Sequence, residues 1–412
     1  MGGGTTRWES EPTSATSNAS QDLTRIGGEI DSLGDRNQGH NSSTRSAQKN
    51  LERLGDDITV EEWNVEETAD DRDLEETLGE HLEGIRRAHG RDCAVPGSRG
   101  PCRAQGQDIT KGQATEVRRL LFGNPLKTFD GSWLRQGFFF NRHKALGYGV
   151  VQLEGGPCGV LAAVQAFLLQ HLLYGGEAGC DWQAPSRAQQ ERALVFALSE
   201  IIWRAGRGKA AILVLATCDY FIHKSSQYKP DGVTERVQLH HLTCRGDLEN
   251  MVEKNIDQFT QEKGYGVILL VYSCVFSRGL EKVRVDMDQC CGEVPTLMAR
   301  HGYASQELVN LLILGCAHSN LFDGQSVMRD GDGGEDTVVL KGVSTRGRVG
   351  FLTLFEAYNY MEVGKNLKSP ETPLWVVCSE SHYSVLFSAT RRLSPFDLFY
   401  YDQLGGQDEV GG

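Results

Sequence analysis

A glycine-rich turn that leads into a cysteine is the segment of this sequence best suited to chemistry. Gly155, Gly156, Pro157 and Cys158 precede a long apolar run over residues 159–173, which is typical of a buried helix. Proline suits a first helical turn, and a cysteine there meets unpaired backbone N–H groups and the positive end of the helix dipole. Because that environment favours the thiolate, Cys158 is a candidate nucleophile.

Two further residues could complete the site of a cysteine hydrolase. Gln152 stands six residues before Cys158, so its side-chain amide and the N–H of Cys158 could both donate to an oxyanion. A thiolate mechanism also needs a histidine that protonates the leaving amine. His382 is the favoured histidine because it begins a predicted strand far downstream, and this order resembles that of papain-like hydrolases. His171 is excluded, since it lies about 20 Å along the helix that Cys158 opens.

Asp402 and Ser384 are weaker candidates for supporting His382. Asp402 follows the last predicted strand and could orient the histidine from a neighbouring strand, although aspartate at a strand end is commonly a turn residue. Ser384 shares the strand face of His382 and could offer a hydrogen bond. The alternative for Cys158 and His382 themselves is structural, as buried core residues. Their combination with Gln152 and the glycine turn is what favours a site.

The elements that must position these residues alternate between helices and strands. Helices are predicted over residues 115–122, 185–205, 247–262 and 308–314, and buried strands over 211–216, 267–275, 374–378, 382–387 and 398–401. The interleaving indicates an α+β fold whose last strands are antiparallel.

The distribution of charge divides the chain into parts. The net charge is −13, and residues 1–100 hold 21 acidic against 11 basic side chains. The composition of residues 1–112 predicts a disordered acidic arm, followed by a folded domain over 113–404 and a short flexible tail over 405–412. Within the arm, the leucines of residues 74–85 recur at helical spacing and could form a docking helix, although a solvated linker is the favoured interpretation.

Composition and motifs exclude several classes of function. The nearly neutral body lacks the basic surface that nucleic-acid binding requires, and no apolar run is long enough for a transmembrane segment or a signal peptide. No C-x-x-C pair occurs among the 11 cysteines, so we expect no metal site, no cofactor and no disulfide framework. These features predict an intracellular, cytoplasmic protein.

For two other motifs the favoured interpretation assigns no lipid or metal site. The first six residues, MGGGTT, match the N-myristoylation pattern, but a single acyl chain on an acidic arm would give weak attachment, and a start without lipid is favoured. The DGDGGED stretch within residues 323–342 does not reproduce the ligand spacing of a calcium loop. A flexible surface insertion is predicted there.

Four long segments resemble the MINDY family of deubiquitinases, in particular its type-four branch. They are GGPCGVLAAVQ around Cys158, WVVCSESHYSVLF around His382, NLLILGCAHSNLFDG at 310–324 and FLTLFEAYNYMEVG at 351–364. The resemblance spans about residues 113–404. It implies a papain-like cysteine protease that cleaves ubiquitin chains, with a preference for lysine-48 linkages, in which Cys158 is the nucleophile, His382 the general base and acid, and Gln152 the oxyanion-hole glutamine.

Other functions stay open at the level of sequence. The chain ends at Gly412, soon after the last predicted strand, where relatives usually continue, so a catalytically inactive ubiquitin-binding or scaffold protein is the alternative to an enzyme. A papain-like acyltransferase is a third interpretation. For the enzyme, ubiquitin and lysine-48-linked polyubiquitin are the expected partners, and Glu154 is a candidate contact for the arginine of the ubiquitin tail.

Overall fold

The structure, a computed structural model, describes residues 6–8, 106–175, 181–225, 228–262, 264–288, 294–329, 337–390 and 397–404. The predicted acidic arm lies outside these residues except for 6–8 and 106–112, and so do the predicted tail and the helix considered at 74–85. From residue 106 onward, regular structure begins with a strand at Gln107–Asp108 and a helix at Lys111. Both begin before the boundary predicted at residue 113.

Helices surround the chain segment that carries the candidate cysteine. They are α1 (Lys111–Phe122), α2 (Gly131–Leu134), α3 (Cys158–Tyr174), α4 (Arg187–Ala205), α5 (Arg245–Lys254), α6 (Ile256–Thr260), α7 (Gly266–Arg278), α8 (Leu280–Asp286), α9 (Gln306–Leu314), α10 (Leu354–Ala357) and α11 (Lys365–Lys368), with 3-10 turns at Lys144–Leu146, Thr234–Arg236 and Arg300–Gly302. Within the described ranges, no helix is long and apolar enough to cross a membrane.

The strands of the described residues form three sheets, of which one carries the candidate histidine. The strands are β1 (Thr6–Trp8), β2 (Gln107–Asp108), β3 (Ala211–Ala216), β4 (Val237–Leu242), β5 (Gln325–Arg329), β6 (Thr337–Lys341), β7 (Gly350–Thr353), β8 (Leu374–Ser379), β9 (His382–Phe387) and β10 (Leu398–Tyr401). The five-stranded sheet has the order β1-β10-β9-β8-β7, a second sheet has the order β2-β4-β3, and β5 pairs with β6. The pairs β8–β9 and β9–β10 are antiparallel, whereas β7 and β8 are parallel. The predicted α+β class and the antiparallel C-terminal strands are confirmed.

Helix α3 forms the centre of the core. It is apolar on all sides, and residues 158–170 are buried without a break, as expected of a helix enclosed by other elements. It packs against α4, β9 and β8. The packing of α3 on β9 places the N-terminus of the helix, with Cys158, beside the sheet that carries His382.

Local capping explains where several helices begin and end. Ser186 caps α4 in a capping box with Gln189, and Thr110 caps α1 in the same way with Gln113. Helices α1 and α9 end at Gly123 and Gly315, whose φ angles of 72° and 77° are left-handed. Glycine adopts this conformation at little cost, so these helices end there.

The prediction of a strand over residues 267–275 is wrong, because this run lies within helix α7. The helix is buried from Gly266 to Phe276, so its apolar pattern carries no period that could separate a helix from a buried strand. Ser273 fits the helix by donating to Leu269 O at 2.7 Å, and its Oγ accepts from Val214 N in β3 at 2.9 Å. The serine therefore joins the helix to the edge of a sheet.

Two other predicted segments differ in the structure. The helix predicted over 247–262 is divided at Asn255, whose side chain donates to Met251 O at 2.8 Å, so that α5 and α6 are separate. The insertion predicted over 323–342 contains the two strands β5 and β6, which pair as a hairpin through five residue pairs. Its DGDGGED stretch is residues 330–336, which lie outside the described residues.

Candidate active site

Cys158 is the first residue of α3 and is 2% exposed. Its Sγ donates to Ser381 O at 3.8 Å, which places the thiol next to the start of β9. The turn before it depends on Gly156, whose φ is 127° and where a Cβ would come within 2.8 Å of Ser132 Oγ. The N–H of Cys158 belongs to the first turn of the helix, where no intrahelical carbonyl is available. This N–H can therefore donate to a substrate oxygen.

The three glycines around Cys158 have different surroundings. Gly155 faces open space, which leaves the backbone before Cys158 uncrowded. At Gly159, however, a Cβ would lie 2.9 Å from Val309 and 3.1 Å from Ala304. Gly159 therefore permits α9 to pack closely on α3 and does not widen the approach to the thiol.

His382 begins β9, and its Nε2 lies 2.8 Å from Asp402 Oδ1. This hydrogen bond, together with one to Cys158, outweighs burial and raises the pKa of His382 to about 9. Burial opposes ionisation of Asp402, but the bonds from His382 and from the N–H of Leu404 hold its pKa below the usual range. Because Asp402 engages Nε2, Nδ1 is the ring nitrogen left to face the thiol.

The structure thus brings three sequence-predicted residues together: Cys158, His382 and Asp402. They come from the start of α3, the start of β9 and the residue that follows β10. Asp402 reaches His382 because β10 pairs with β9 in a register that opposes Tyr401 and Val385. The strands, rather than sequence proximity, deliver the carboxylate to the ring.

Gln152 is 2% exposed and its side chain is engaged by the chain itself. Its Nε2 donates to Glu154 O at 2.7 Å, and its Oε1 is buried with no hydrogen-bond partner among the described residues. The backbone N–H of Gln152 donates to Gln403 O at 2.9 Å. The residue before Gln403 is Asp402, so one short segment holds both Gln152 and His382.

Ser384 does not contact His382 through a hydrogen bond. Its side chain is fully buried, and its Oγ finds no hydrogen-bond partner in the part of the chain that the structure describes. Ser384 shares a strand face with His382, as the two-residue spacing predicts. Sharing a face does not bring the hydroxyl to the ring, and the structure gives it no supporting contact.

Several residues of the site have no obvious signal in the sequence. Arg135 Nη2 pairs with Glu154 at 2.7 Å, so the carboxylate considered as a contact for the ubiquitin tail has a partner within the chain. Tyr401 Oη donates to Val150 O at 3.0 Å, and its ring lies against Gly149. These contacts join segments far apart in the sequence, so no local pattern indicates them.

The arrangement has the parts that acyl transfer through a thiolate requires. A cysteine stands at a helix N-terminus, and a histidine of raised pKa is oriented by a carboxylate. Two candidate oxyanion donors are the N–H of Cys158, in the first turn of α3, and the amide of Gln152, on the chain before the helix. No group of three or more metal-binding side chains is arranged to hold an ion in the described ranges.

Comparisons with known proteins agree in one assignment. The family model described as deubiquitinating enzyme MINDY-3/4, conserved domain, matches residues 118–411. The probable ubiquitin carboxyl-terminal hydrolase MINDY-4 of Bos taurus is 46% identical over 308 residues, which are 72% of this chain and 39% of that protein. The protein of the same name from Homo sapiens is also 46% identical, over 311 residues, 72% of this chain and 40% of the relative.

More distant relatives match a shorter part of the chain. The ubiquitin carboxyl-terminal hydrolase MINDY-3 of Danio rerio is 33% identical over 278 residues, which cover 61% of this chain and 59% of that protein. No solved structure matches the chain. The chain spans about two fifths of the length of the MINDY-4 relatives that it matches. The family model covers well over half of the chain, and the chain belongs to the MINDY-3/4 family of deubiquitinating enzymes.

Proposed function

We propose that this chain is a cysteine-type deubiquitinase that hydrolyses the isopeptide bond between ubiquitin units, with Cys158, His382, Asp402 and Gln152 in its active site. The observation that carries the proposal is the contact of Asp402 with His382 at 2.8 Å, beside a thiol at a helix N-terminus. The names of the MINDY-4 and MINDY-3 relatives support ubiquitin as the substrate. Residues 113–404 are the proposed catalytic domain.

The residues can perform hydrolysis in two steps. The Cys158 thiolate attacks the isopeptide carbonyl, and the oxyanion accepts from the N–H of Cys158 and the Gln152 amide. Protonated His382 gives its proton to the departing lysine amine, which leaves a thioester on Cys158. His382 then takes a proton from water, whose oxygen attacks the thioester carbonyl. The C–S bond breaks, which releases the ubiquitin carboxylate and restores the Cys158 thiolate beside protonated His382.

The proposal is tested with a ubiquitin that bears a thiol-reactive electrophile at its C-terminus. The wild-type chain and the Cys218→Ala variant are expected to form a covalent adduct, whereas Cys158→Ala forms none. Cys218 is the matched control because it is also a free cysteine but is exposed. Adduct formation by Cys158→Ala would show that another residue is the nucleophile. If neither the wild-type chain nor a variant forms an adduct, the proposal that the chain is an enzyme is wrong.

One observation favours the inactive ubiquitin-binding protein as a second candidate function. The Gln152 amide already donates to Glu154 O at 2.7 Å, so one oxyanion donor is occupied in this conformation. Ubiquitin binding by a wild-type chain that forms no adduct would support this alternative. Adduct formation followed by transfer to an added amine, instead of hydrolysis, would support the acyltransferase.

We further propose that lysine-48 linkages are preferred and that the protein works in the cytoplasm. The linkage preference rests on the family resemblance, and it is tested by comparing cleavage of di-ubiquitins of defined linkage at equal concentration. Equal rates for all linkages would contradict it. The location is supported by the free state of the described cysteines, of which Cys218 and Cys244 are exposed, as expected in a reducing compartment.

Replacing Gln152 by alanine is expected to lower kcat about 100- to 1000-fold, because one of the two oxyanion donors is removed. KM for a ubiquitin with a fluorogenic C-terminal amide should change little, since the donor acts on the oxyanion and not on the bound ground state. Gln152→Glu is the matched variant, because a carboxylate of similar size cannot donate and should be equally slow. Full activity of either variant would exclude the assigned role.

Replacing Asp402 by asparagine is expected to move the alkaline limit of activity to lower pH. The ion pair between thiolate and imidazolium is lost when His382 loses its proton, near pH 9 in the wild type. Without the carboxylate the pKa of His382 should fall toward the ordinary value near 6.5. The measurement is the pH profile of kcat/KM. Ser384→Ala is the control and should keep the wild-type profile, and an unmoved limit in Asp402→Asn would contradict the assignment.

A further inference from the structure

An exposed apolar surface lies on one short segment after β7. Leu354, Tyr358, Tyr360 and Met361 are 40%, 56%, 52% and 39% exposed, and we call them the 354–361 surface. Single exposed apolar side chains are ordinary, but four within eight residues form a patch of the kind that marks a binding site. The rings of Tyr358 and Tyr360 lie 6.2 Å apart and give the patch an aromatic centre.

The register of the sheet places this surface beside the active site. Strand β7 ends at Thr353, which pairs with Cys378 of β8, and the next residue of β8, Ser379, pairs with His382. The segment that leaves β7 therefore begins at the same end of the sheet as His382. Two strand spacings, about 10 Å, separate the two points.

The surface is held in shape by its own hydrogen bonds. Thr353 caps the short helix α10, and the N–H of Tyr360 donates to Phe355 O at 2.9 Å. Glu356 accepts from the N–H of Val363 at 3.0 Å and from Lys368 Nζ at 2.8 Å. An ordered segment loses little conformational freedom when it binds a partner, so an exposed apolar face on it is suited to recognition.

We propose that the 354–361 surface binds the folded body of the ubiquitin whose C-terminal carboxyl is transferred to Cys158. This inference rests on the proposed function. A ubiquitin tail of four extended residues spans about 13 Å, so a ubiquitin whose last carbonyl reaches Cys158 must hold its body within about that distance of the thiol. The 354–361 segment leaves β7 about two strand spacings, or about 10 Å, from His382, which is within that reach.

The chemistry of the surface indicates what it contacts on ubiquitin. Tyrosine, methionine and leucine present apolar area, and tyrosine and methionine are enriched in protein interfaces. The charged groups at the edge, Glu356 and Lys368, neutralise each other at 2.8 Å. A neutral apolar centre with a paired polar edge selects an apolar patch on a folded partner, not a charged peptide.

The test uses the Tyr358→Ser/Met361→Ser double variant, with Val285→Ser as the matched control. Val285 is 63% exposed on α8, so its replacement removes exposed apolar surface outside the segment. Affinity for unmodified mono-ubiquitin is measured by NMR titration in the Cys158→Ala background, and KM and kcat are measured with ubiquitin carrying a fluorogenic C-terminal amide. We expect at least a tenfold loss of affinity and a matching rise in KM, with kcat unchanged.

Several outcomes would overturn the inference. Unchanged ubiquitin affinity and unchanged KM in an active double variant would overturn it. A slower cleavage of di-ubiquitin with no change for the mono-ubiquitin substrate would also overturn it, since the surface would then hold the ubiquitin that bears the amine. No measurable ubiquitin binding by the Cys158→Ala chain would also overturn it. If the double variant melts earlier than the wild type, Tyr358→Arg repeats the test, since Tyr358 is mostly exposed and the change leaves the core intact.

These outcomes separate the inference from the proposed function. A wild-type chain that binds ubiquitin through the 354–361 surface but forms no adduct with the electrophilic ubiquitin contradicts the proposed enzyme activity. It leaves the proposed binding surface intact. A wild-type chain that forms the adduct, with equal KM in wild type and double variant, contradicts the surface alone. The binding titration does not depend on turnover, so each failure is visible on its own.

Discussion

Replacing His382 by alanine is expected to lower kcat as far as replacing Cys158 does, on the order of 10^6-fold for a catalytic unit that loses one member. The thiolate of Cys158 is supported by the imidazolium, and the same ring gives its proton to the leaving amine. Removal of the ring therefore takes away both the activation of the nucleophile and the acid. The measurement is the turnover of a fluorogenic ubiquitin amide at high protein concentration.

The double variant makes this prediction sharper. Cys158→Ala/His382→Ala should be no slower than either single variant, because the two residues act as one unit and their losses are not additive. The matched control is His143→Ala, since His143 is exposed and has no contact with the site; it should keep wild-type turnover. A His382→Ala variant that retains more than about a hundredth of the activity would show that another group protonates the amine.

Local sequence patterns were sufficient to predict where two residues of the candidate site lie in the fold. The glycine turn and the apolar run place Cys158 at a helix start, and the strand pattern places His382 at the start of β9; both positions are those of the structure. Each of these predictions depends on neighbours within about ten residues. Capping residues such as Ser186 are equally local, which is why the predicted start at residue 185 lies within two residues of the start of α4 at Arg187.

The rest of the site depends on contacts between distant segments. Whether Asp402 orients His382 or serves in a turn follows from the register of β9 and β10, which no local pattern carries. The hydrogen bond of Gln152 to Glu154 O and the failure of Ser384 to find a partner are also tertiary facts. The sequence of helix α7 predicts a strand because a helix buried on all sides lacks the alternation of apolar and polar residues that would mark its period.

A buried charge network also escapes prediction, since Arg118 stands in α1 among other charged residues and reads as a surface side chain. It is fully buried. Its Nη2 pairs with Asp231 at 2.7 Å, its Nη1 donates to Lys229 O at 2.5 Å, and its guanidinium lies 4.5 Å from the ring centroid of Tyr228. Asp231 and Glu235 in turn accept from backbone N–H groups of residues 231–234.

Replacing Arg118 by methionine is therefore expected to lower the free energy of unfolding by about 3–5 kcal/mol, the cost of leaving buried carboxylates without their cation. Asp231 and Glu235 are 1% and 0% exposed, so water cannot replace the guanidinium. The measurement is equilibrium unfolding in urea. Arg142→Met is the matched control, because Arg142 is 88% exposed in its pair with Glu262, and exposed pairs contribute at most about 1 kcal/mol.

The triple variant Arg118→Met/Asp231→Asn/Glu235→Gln separates charge from packing. If the loss in Arg118→Met comes from uncompensated carboxylates, neutral side chains of similar size should recover a large part of it, since buried ion pairs replaced as a set are often close to neutral in stability. If the loss comes from the missing contact with Tyr228, the triple variant should be no more stable than Arg118→Met. A loss below about 1 kcal/mol in Arg118→Met would show that α1 is not held to residues 228–235 by this charge.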